Sequence, residues 1–538
     1  MKSLLSALLF SFLFAGVHAQ PAPPAETPPP GTPPSLTWWN LLHYTIAIQP
    51  DYTSQYLSGS NTIRFRVLHP DSVLQIDLQQ PMHITTITWQ GQFLPVDHNE
   101  NAWLVRFPHR LKPGATETIE ATFEGHPTVA HKAPWDGGWI WTKDSLGRPW
   151  MTVACEAGGA SIWLPCKQTA YDEPDSGITF HITAPDTLVA IANGRLLGKT
   201  PHDNHTSTWT WSVINPINDY DMIPYIGSYT TWHEDYRGLK GRLDCDYWVL
   251  DYNLPRAQQQ FRQVDTMLHC FEYWLGPYPF YEDSYKLVET PYLGMEHQSA
   301  IAYGNHFTNS YLGRDLSQSG WGMKFDFIMV HESGHEWFGN SITASRAGES
   351  WIHEGFTKYL ETIYVGYVFG SQAGNDYATG IFKRIRNDDP ILGSGSSDSY
   401  NKGSAMLHMI RQIMGDSTFR NILRGLSKTF YHQTVTTDQL LHYINQHSKR
   451  DLTHIFDQYL RTTQVPLLEY SLRNNTLQYR WIHSIAGFDM PVKVSFDRRT
   501  SFFIYPTTKW QKLTTRTTSP EDFTIDRNFY IEKKSVSL

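Results

Sequence analysis

His331-Glu332-Ser333-Gly334-His335 is followed, nineteen residues after His335, by Glu354 in the run Trp351-Ile352-His353-Glu354-Gly355. Residues four apart on an α-helix lie one above the other on the same face. Two imidazoles so placed suit a single zinc ion, with Glu332 between them aimed at a metal-bound water. Glu354 completes a set of two histidines and one carboxylate and leaves a fourth position open. A structural zinc is closed by four protein ligands, whereas an open position marks a catalytic one. The pattern therefore predicts a hydrolytic centre holding one Zn2+, with His331, His335 and Glu354 as metal ligands.

The flanking residues support a buried helix. Phe325-Asp326-Phe327-Ile328-Met329-Val330 is apolar on almost every side, and Gly339 is the expected helix stop. Histidines and carboxylates inside such a helix are unfavourable unless something pairs with them, and a metal answers that cost. A second helix is predicted over Ser350 to Tyr364. Seven residues beyond Glu354, Glu361 returns to nearly the same face. Two readings of Glu361 stand side by side: a carboxylate orienting a zinc histidine, or a surface ion pair.

Residues 1–19 read as a secretory signal, with Lys2, an apolar core from Leu4 to Phe14, and small residues at Val17-His18-Ala19. Its apolar run is too short to span a membrane. Residues 20–35 hold eight prolines between Pro21 and Pro34, an extended spacer unable to build a core. The expectation is an exported protein, periplasmic or secreted, with no membrane span. Net charge is −8, and −9 without Lys2, which argues against a nucleic-acid partner. Four cysteines, Cys155, Cys166, Cys245 and Cys270, allow one or two bridges or buried free thiols. Asn204-His205-Thr206 and Asn474-Asn475-Thr476 are glycosylation sequons, relevant only in a host that uses them.

Three regions follow the spacer, giving a multidomain α+β chain. From 36 to 230 the pattern alternates, as in His43–Ile48, Thr62–Val67 and Ser72–Leu78, which predicts an all-β domain. From 231 to 465 the period becomes helical around the zinc motif. Thr436 and Gln439 form a capping-box pattern ahead of Leu440-Leu441-His442-Tyr443-Ile444. From 466 to 538 alternation returns, with Leu468, Tyr470 and Leu472 on one side and Glu469 and Ser471 on the other, predicting a small β-module. Pro134-Trp135-Asp136-Gly137-Gly138-Trp139-Ile140-Trp141 reads as a packed loop or as a wall along the substrate approach.

Three further motifs gain meaning from their order around the zinc signature: Cys155-Glu156-Ala157, Gly294-Met295-Glu296-His297-Gln298, and Tyr400-Asn401-Lys402-Gly403. With these in place the chain resembles the zinc aminopeptidases typified by aminopeptidase N and leukotriene hydrolase, over nearly all of its length beyond the spacer. The resemblance implies a thermolysin-like, mainly helical catalytic domain. It also implies that Glu296, with Gly294 and Met295 of the family's Gly-x-Met-Glu-Asn motif, holds the substrate's free α-amino group. Glu156 matches a second amine-binding position, Tyr400 the tyrosine that stabilises the tetrahedral intermediate, and Glu332 the catalytic base. There are three departures. Leu293 stands where the motif's first glycine is usual, His297 where asparagine is usual, and the large C-terminal helical domain of many members is missing.

The expected chemistry is removal of the N-terminal residue from peptides with a free N-terminus. A peptide α-amine has a pKa of about 8 and is cationic at neutrality. An internal segment brings no cation and leaves the two acids unpaired. A thermolysin-like endopeptidase uses the same ligands at similar spacing and is the alternative, as is a non-catalytic peptide-binding module that has kept a metal.

Overall fold

The alternating stretches of the first region become strands with their apolar residues inward. Tyr44, Ile46 and Ile48 of Trp39–Asp51, Ile63 and Phe65 of Tyr56–Val67, and Leu74 and Ile76 of Val73–Asp77 are all buried. The structure, a computed structural model, describes residues 28–393, 395–497, 500–515 and 523–537. The expected signal 1–19 and the first part of the proline-rich stretch, up to residue 27, lie outside the described residues.

Trp39–Asp51 pairs antiparallel with Tyr56–Val67 and parallel with Ile178–Pro185, at the centre of an eight-stranded sheet. A four-stranded sheet, ordered Val189–Ile191, Tyr225–Gly227, Pro149–Ala154, Gly138–Lys143, shares its core through Met151, Val153, Ile191 and Tyr225. Its strand Pro149–Ala154 runs directly into Cys155-Glu156. This placement carries an acid of the β region to the edge of the zinc site.

The helical period expected from residue 231 begins later. Residues Tyr229–Gly238, Gly241–Leu250, Tyr285–Glu289, Ile301–Tyr303 and Gly294–Met295 form, in that spatial order, a five-stranded mixed sheet. Every residue of Tyr285–Glu289 and of Ile301–Tyr303 is buried. A strand covered on both faces shows no alternation, so a short apolar run of this kind has no periodic signature to set it apart from a helix. Gly294–Met295 is the sheet's edge.

The zinc-motif helix spans Phe327–Gly334, capped by Asp326, whose side chain accepts from the Met329 amide at 3.3 Å. It ends at Gly334, not at Gly339. A Cβ on Gly334 would lie 3.0 Å from Thr357 and 3.1 Å from Leu360, so this glycine lets the next helix close in. Beyond it the chain makes a wide turn in which the amides of Asn340, Ser341 and Ile342 bond carbonyls five residues back. The second helix, expected to Tyr364, runs from Trp351 to Phe369. A third, Asp398–Met414, carries Tyr400 in its first turn. The capping box at Thr436 and Gln439 starts the helix Thr437–His447.

The C-terminal module is two small sheets, one ordered Gln511–Thr514, Thr476–Ile482, Leu467–Arg473, Glu532–Ser535, the other Ser501–Ile504, Val492–Ser495, Thr524–Ile525. Leu467–Arg473 is a strand as expected, but Glu469 and Ser471 are buried along with Leu468 and Leu472. Arg480 satisfies Glu469 with a 2.7 Å hydrogen bond. The module shares one core with the catalytic helices through Leu468, Leu472, Leu477 and Trp481. His408 of the Tyr400 helix meets Asn528 at 3.0 Å. All four cysteines are buried free thiols, and Asn204 and Asn474 are exposed.

The Glu354 and Tyr400 helices cross at two glycines. A Cβ on Gly403 would sit 3.1 Å from the Gly355 Cα, and one on Gly355 would sit 3.0 Å from the Ser399 carbonyl oxygen. Neither position has room for a side chain, because the obstacle is backbone. Gly403→Val is therefore expected to destabilise the chain by ~1–3 kcal/mol, read by urea unfolding, and to lower kcat by displacing Tyr400 one turn away. Unchanged stability and turnover would show that the crossing has slack.

Candidate active site and metal centre

His331 and His335 lie on one face of the first helix, and Glu354 enters from the second. His331 Nε2 and His335 Nε2 are 3.4 Å apart, and Glu354 Oε2 is 3.4 Å from the first and 3.5 Å from the second. Three tetrahedral zinc ligands at about 2.0–2.1 Å from the metal lie ~3.4 Å from one another, so the triangle has the size the ion requires. Glu354 Oε2 is buried and has no hydrogen-bond partner among the described residues. It is the acceptor a cation would satisfy.

The other ring nitrogens are committed. His331 Nδ1–H donates to Glu361 at 2.8 Å, and His335 Nδ1–H donates to the Phe338 carbonyl at 3.0 Å. Each bond fixes a tautomer that leaves Nε2 as a free lone pair for metal. Glu361 is fully buried and is held in turn by Lys358 at 2.8 Å and Tyr377 at 2.6 Å. Of its two readings, the histidine-orienting one describes its place. The His331 ring stacks with Phe327, at 5.4 Å and 14°, and with Tyr400, at 6.1 Å and 14°.

The acids named from sequence gather around this triangle. Glu296, Glu332 and His335 offer ligand atoms within 4.8 Å of one another, and so do Glu156, Glu296 and Glu354. A Cβ on Gly294 would lie 3.1 Å from Glu332 Oε1, so the missing side chain at the sheet edge makes room for that carboxylate. Met295 is buried beneath the same edge. Tyr220, which sequence reading missed, donates to Glu296 Oε1 at 3.3 Å, and Asn340 Nδ2 donates to the Glu296 carbonyl at 2.8 Å. Neither stands in a motif of its own. Asn340 follows the zinc signature by five residues, and that adjacency was the one available signal. His297, in place of the usual asparagine, is fully buried and bonded to the Tyr225 hydroxyl at 2.6 Å, and burial holds it neutral with a pKa of about 3.

Four carboxylates around two imidazoles set the electrostatics. Glu156 is an exposed residue, but the neighbouring Glu296 charge, then desolvation of its carboxyl among the other acids, pushes it up to about 8. Burial raises Glu332 to about 7, the range of a general base at neutrality. Burial opposes charge on His335, yet Glu296 and Glu354 lift it to about 10. The Tyr400 hydroxyl, desolvated in the cleft and facing Glu354 and Glu156, is held well above the usual phenol value. It stays a proton donor at neutral pH. A site this rich in anions calls for cations, and zinc and a substrate ammonium are two that fit it.

A buried two-histidine, one-glutamate triangle with an open side, on helices beside a mixed sheet, defines the class: a thermolysin-like zinc peptidase. Residues 261–459 match the Peptidase family M1 domain. Leukotriene A-4 hydrolase of Xenopus laevis is 22 % identical over 454 residues, covering 78 % of this chain and 70 % of that protein. Aminopeptidase N of Canis lupus familiaris is 23 % identical over 451 residues, covering 73 % of this chain but only 44 % of its own length. An M1 zinc metallopeptidase from Deinococcus radiodurans shares the fold, with a TM-score of 0.68, 20 % identity, and coverage of 80 % of this chain and 94 % of that one. Residues His331, His335, Glu354, Glu296 and Tyr400 all fall inside 261–459, the part of the chain that is similar to the M1 peptidases.

The Glu361 bond generates a prediction for metal binding. Glu361→Gln is expected to keep the fold but to weaken zinc binding ~10- to 100-fold, because it removes the carboxylate that orients His331. Competition against a chromogenic chelator reads this, and an unchanged zinc constant would refute the orienting role.

Proposed function

We propose that this chain removes single residues from the N-terminus of peptides by zinc-dependent hydrolysis. The observation that carries this reading is the position of Glu296 and Glu156, whose carboxylates meet Glu354 within 4.8 Å on the rim of the metal triangle. Two acids there bind an ammonium and place the first peptide bond at the metal. One protein of the same fold, a mutant of an M1 zinc metallopeptidase from Deinococcus radiodurans, has a Tyr-Ser-Ala substrate bound, which supports a peptide as the substrate here.

His331, His335 and Glu354 would hold a zinc ion, which would supply a water with its pKa lowered to about 7 and a Lewis acid for the scissile carbonyl. Glu332 is placed to take a proton from the attacking water and return it to the leaving amine, a contribution of typically ~10²- to 10⁴-fold. Tyr400, protonated at neutral pH, donates to the developing oxyanion. Glu296, steadied by Tyr220 and Asn340, and Glu156 hold the α-ammonium. The outer edge of Gly294–Met295 is unpaired by any strand among the described residues, so an extended peptide can add there beside Glu332. The same two acids disfavour the endopeptidase reading, because an internal peptide leaves them without a cation.

Acetylated and free forms of one peptide test this directly. Blocking the amine is expected to lower kcat/KM by at least ~10²-fold, the cost of leaving a buried acid unpaired. Comparable cleavage of both forms would sink the aminopeptidase reading.

A pH prediction follows from Glu156. Its pKa is raised to about 8, so its negative charge is lost as pH falls through that region. The substrate ammonium is lost as pH rises above about 8. KM for a free peptide is thus expected to rise on both sides of a mildly alkaline minimum. Glu156→Gln should flatten the acid limb, and a limb that persists in that variant would assign it to another group.

We further propose export through residues 1–19, giving a periplasmic or secreted enzyme. Lys2, the Leu4–Phe14 apolar run and Val17-His18-Ala19 support it. The mass of the mature chain from an exporting host should begin near Gln20, and retention of residues 1–19 would overturn the proposal. No helix among the described residues is long and apolar enough to cross a membrane.

A further inference from the structure

Glu296 is braced from three segments tied to one another by side-chain amides. Gln298 Nε2 donates to the Pro216 carbonyl at 2.8 Å, Asn218 Nδ2 to the Gly339 carbonyl at 3.1 Å, and Asn340 Nδ2 to the Glu296 carbonyl at 2.8 Å. Loop Pro216–Asp221 of the β region thereby meets Glu296–Gln298 and the turn after the zinc helix. Each bond uses a donor end and leaves acceptors behind. Asn340 Oδ1, Gln298 Oε1 and both carboxylate oxygens of Asp221 are buried with no hydrogen-bond partner among the described residues. The exposures of these three residues are 1 %, 0 % and 0 %. Flipping either amide is no remedy, because its oxygen would then face a backbone carbonyl.

Asp221 compounds the problem. Burial, and then the Glu296 and Glu336 charges, push its carboxyl well above the usual range, and the next neighbours, Glu173 and Asp219, are acids too. Glu336 is itself fully buried, with one oxygen on the Ser299 amide at 2.8 Å. Lys286 is a cationic neighbour of Glu336, whereas the strongest charges acting on Asp221 among the described residues are all negative. A fully buried carboxylate with neither oxygen bonded is among the costliest arrangements in a protein interior.

We propose that Asp221, Asn340 and Gln298 form a second cation site, distinct from the zinc triangle, at the seam between the β region and the catalytic domain. Its donors are all oxygen, which selects a hard cation and not zinc. Four protein oxygens of mixed kind, completed by water, suit the flexible six- to eight-fold coordination of calcium better than the strict octahedron of magnesium. The ion would lock Tyr220 and Glu296 into their amine-binding pose. Its loss should therefore raise KM for free peptides more than it lowers kcat.

The test uses the zinc-loaded full chain, dialysed against calcium-free buffer and titrated by calorimetry with CaCl2. NaCl, KCl and MgCl2 serve as parallel arms at constant ionic strength. One saturable site is expected, with a rise of ~3 °C in unfolding midpoint at a hundredfold excess over Kd. Asp221→Asn should weaken binding at least tenfold with zinc content unchanged. Gln298→Met, which keeps the bulk and removes one oxygen, should weaken it less and serves if the first variant fails to fold. Binding of another of the four ions that is lost in these variants supports the site and names its ion. No saturable binding by the wild-type chain, or binding unaltered by both substitutions, overturns the proposal and leaves Asp221 a buried neutral acid. Calorimetry and thermal shift do not depend on turnover, so failure here is separable from failure of the aminopeptidase reading.

Discussion

His331, His335 and Glu354 bring three donor atoms within 3.5 Å of one another in a nearly dry interior. Without a cation that convergence is unfavourable, since two lone pairs and a carboxylate oxygen face each other with little water to relieve them. With one, the same geometry is a ligand set. Much of the surrounding structure serves to hold it. Asp326 caps the first helix, Gly334 lets the second approach, Glu361 turns His331, and the Phe338 carbonyl turns His335. Glu361 is neutralised by Lys358, so the support adds no further unpaired charge.

The site's excess of negative charge also accounts for its selectivity. Glu156, Glu296, Glu332 and Glu354 repel one another, and the Glu296 charge, followed by desolvation, raises the pKa of Glu156. A metal relieves part of it and an ammonium the rest, so metal binding and recognition of the peptide's amino end draw on one electrostatic cause. Glu332 gains from the same crowding and burial, being poised near 7. Catalytic base and specificity device are thus two consequences of one cluster of acids.

All three regions contribute. The β region delivers Glu156 on the loop that leaves its smaller sheet and Tyr220 on the loop that enters it, and the catalytic domain supplies the metal triangle and Glu296. The C-terminal module braces the Tyr400 helix through His408 and Asn528. Gly355 and Gly403 let that helix touch the Glu354 helix backbone to backbone. Loss of packing far from zinc would therefore reach the tyrosine before it reached the ligands.

Periodicity and spacing in the chain were enough to pick out the candidate metal residues, the β-rich, helical and small-β order of the fold, the central strands of the first sheet and the capping box at Thr436. Each of these depends on neighbours close in sequence, where a helix or strand imposes its own repeat. Family resemblance added Glu156, Glu296 and Tyr400 in named roles. Only the tertiary structure revealed the strands Tyr285–Glu289 and Ile301–Tyr303, because burial on both faces erases alternation. It alone ended the first helix at Gly334, buried Glu469, and chose between ion pair and zinc-histidine partner for Glu361. Tyr220, Asn340 and the Gly355–Gly403 contact were equally invisible, since each acts on a group from another segment. The sequence determines which residues share a local face. Which faces meet, and which buried polar atoms are left wanting a partner, is decided when distant segments pack.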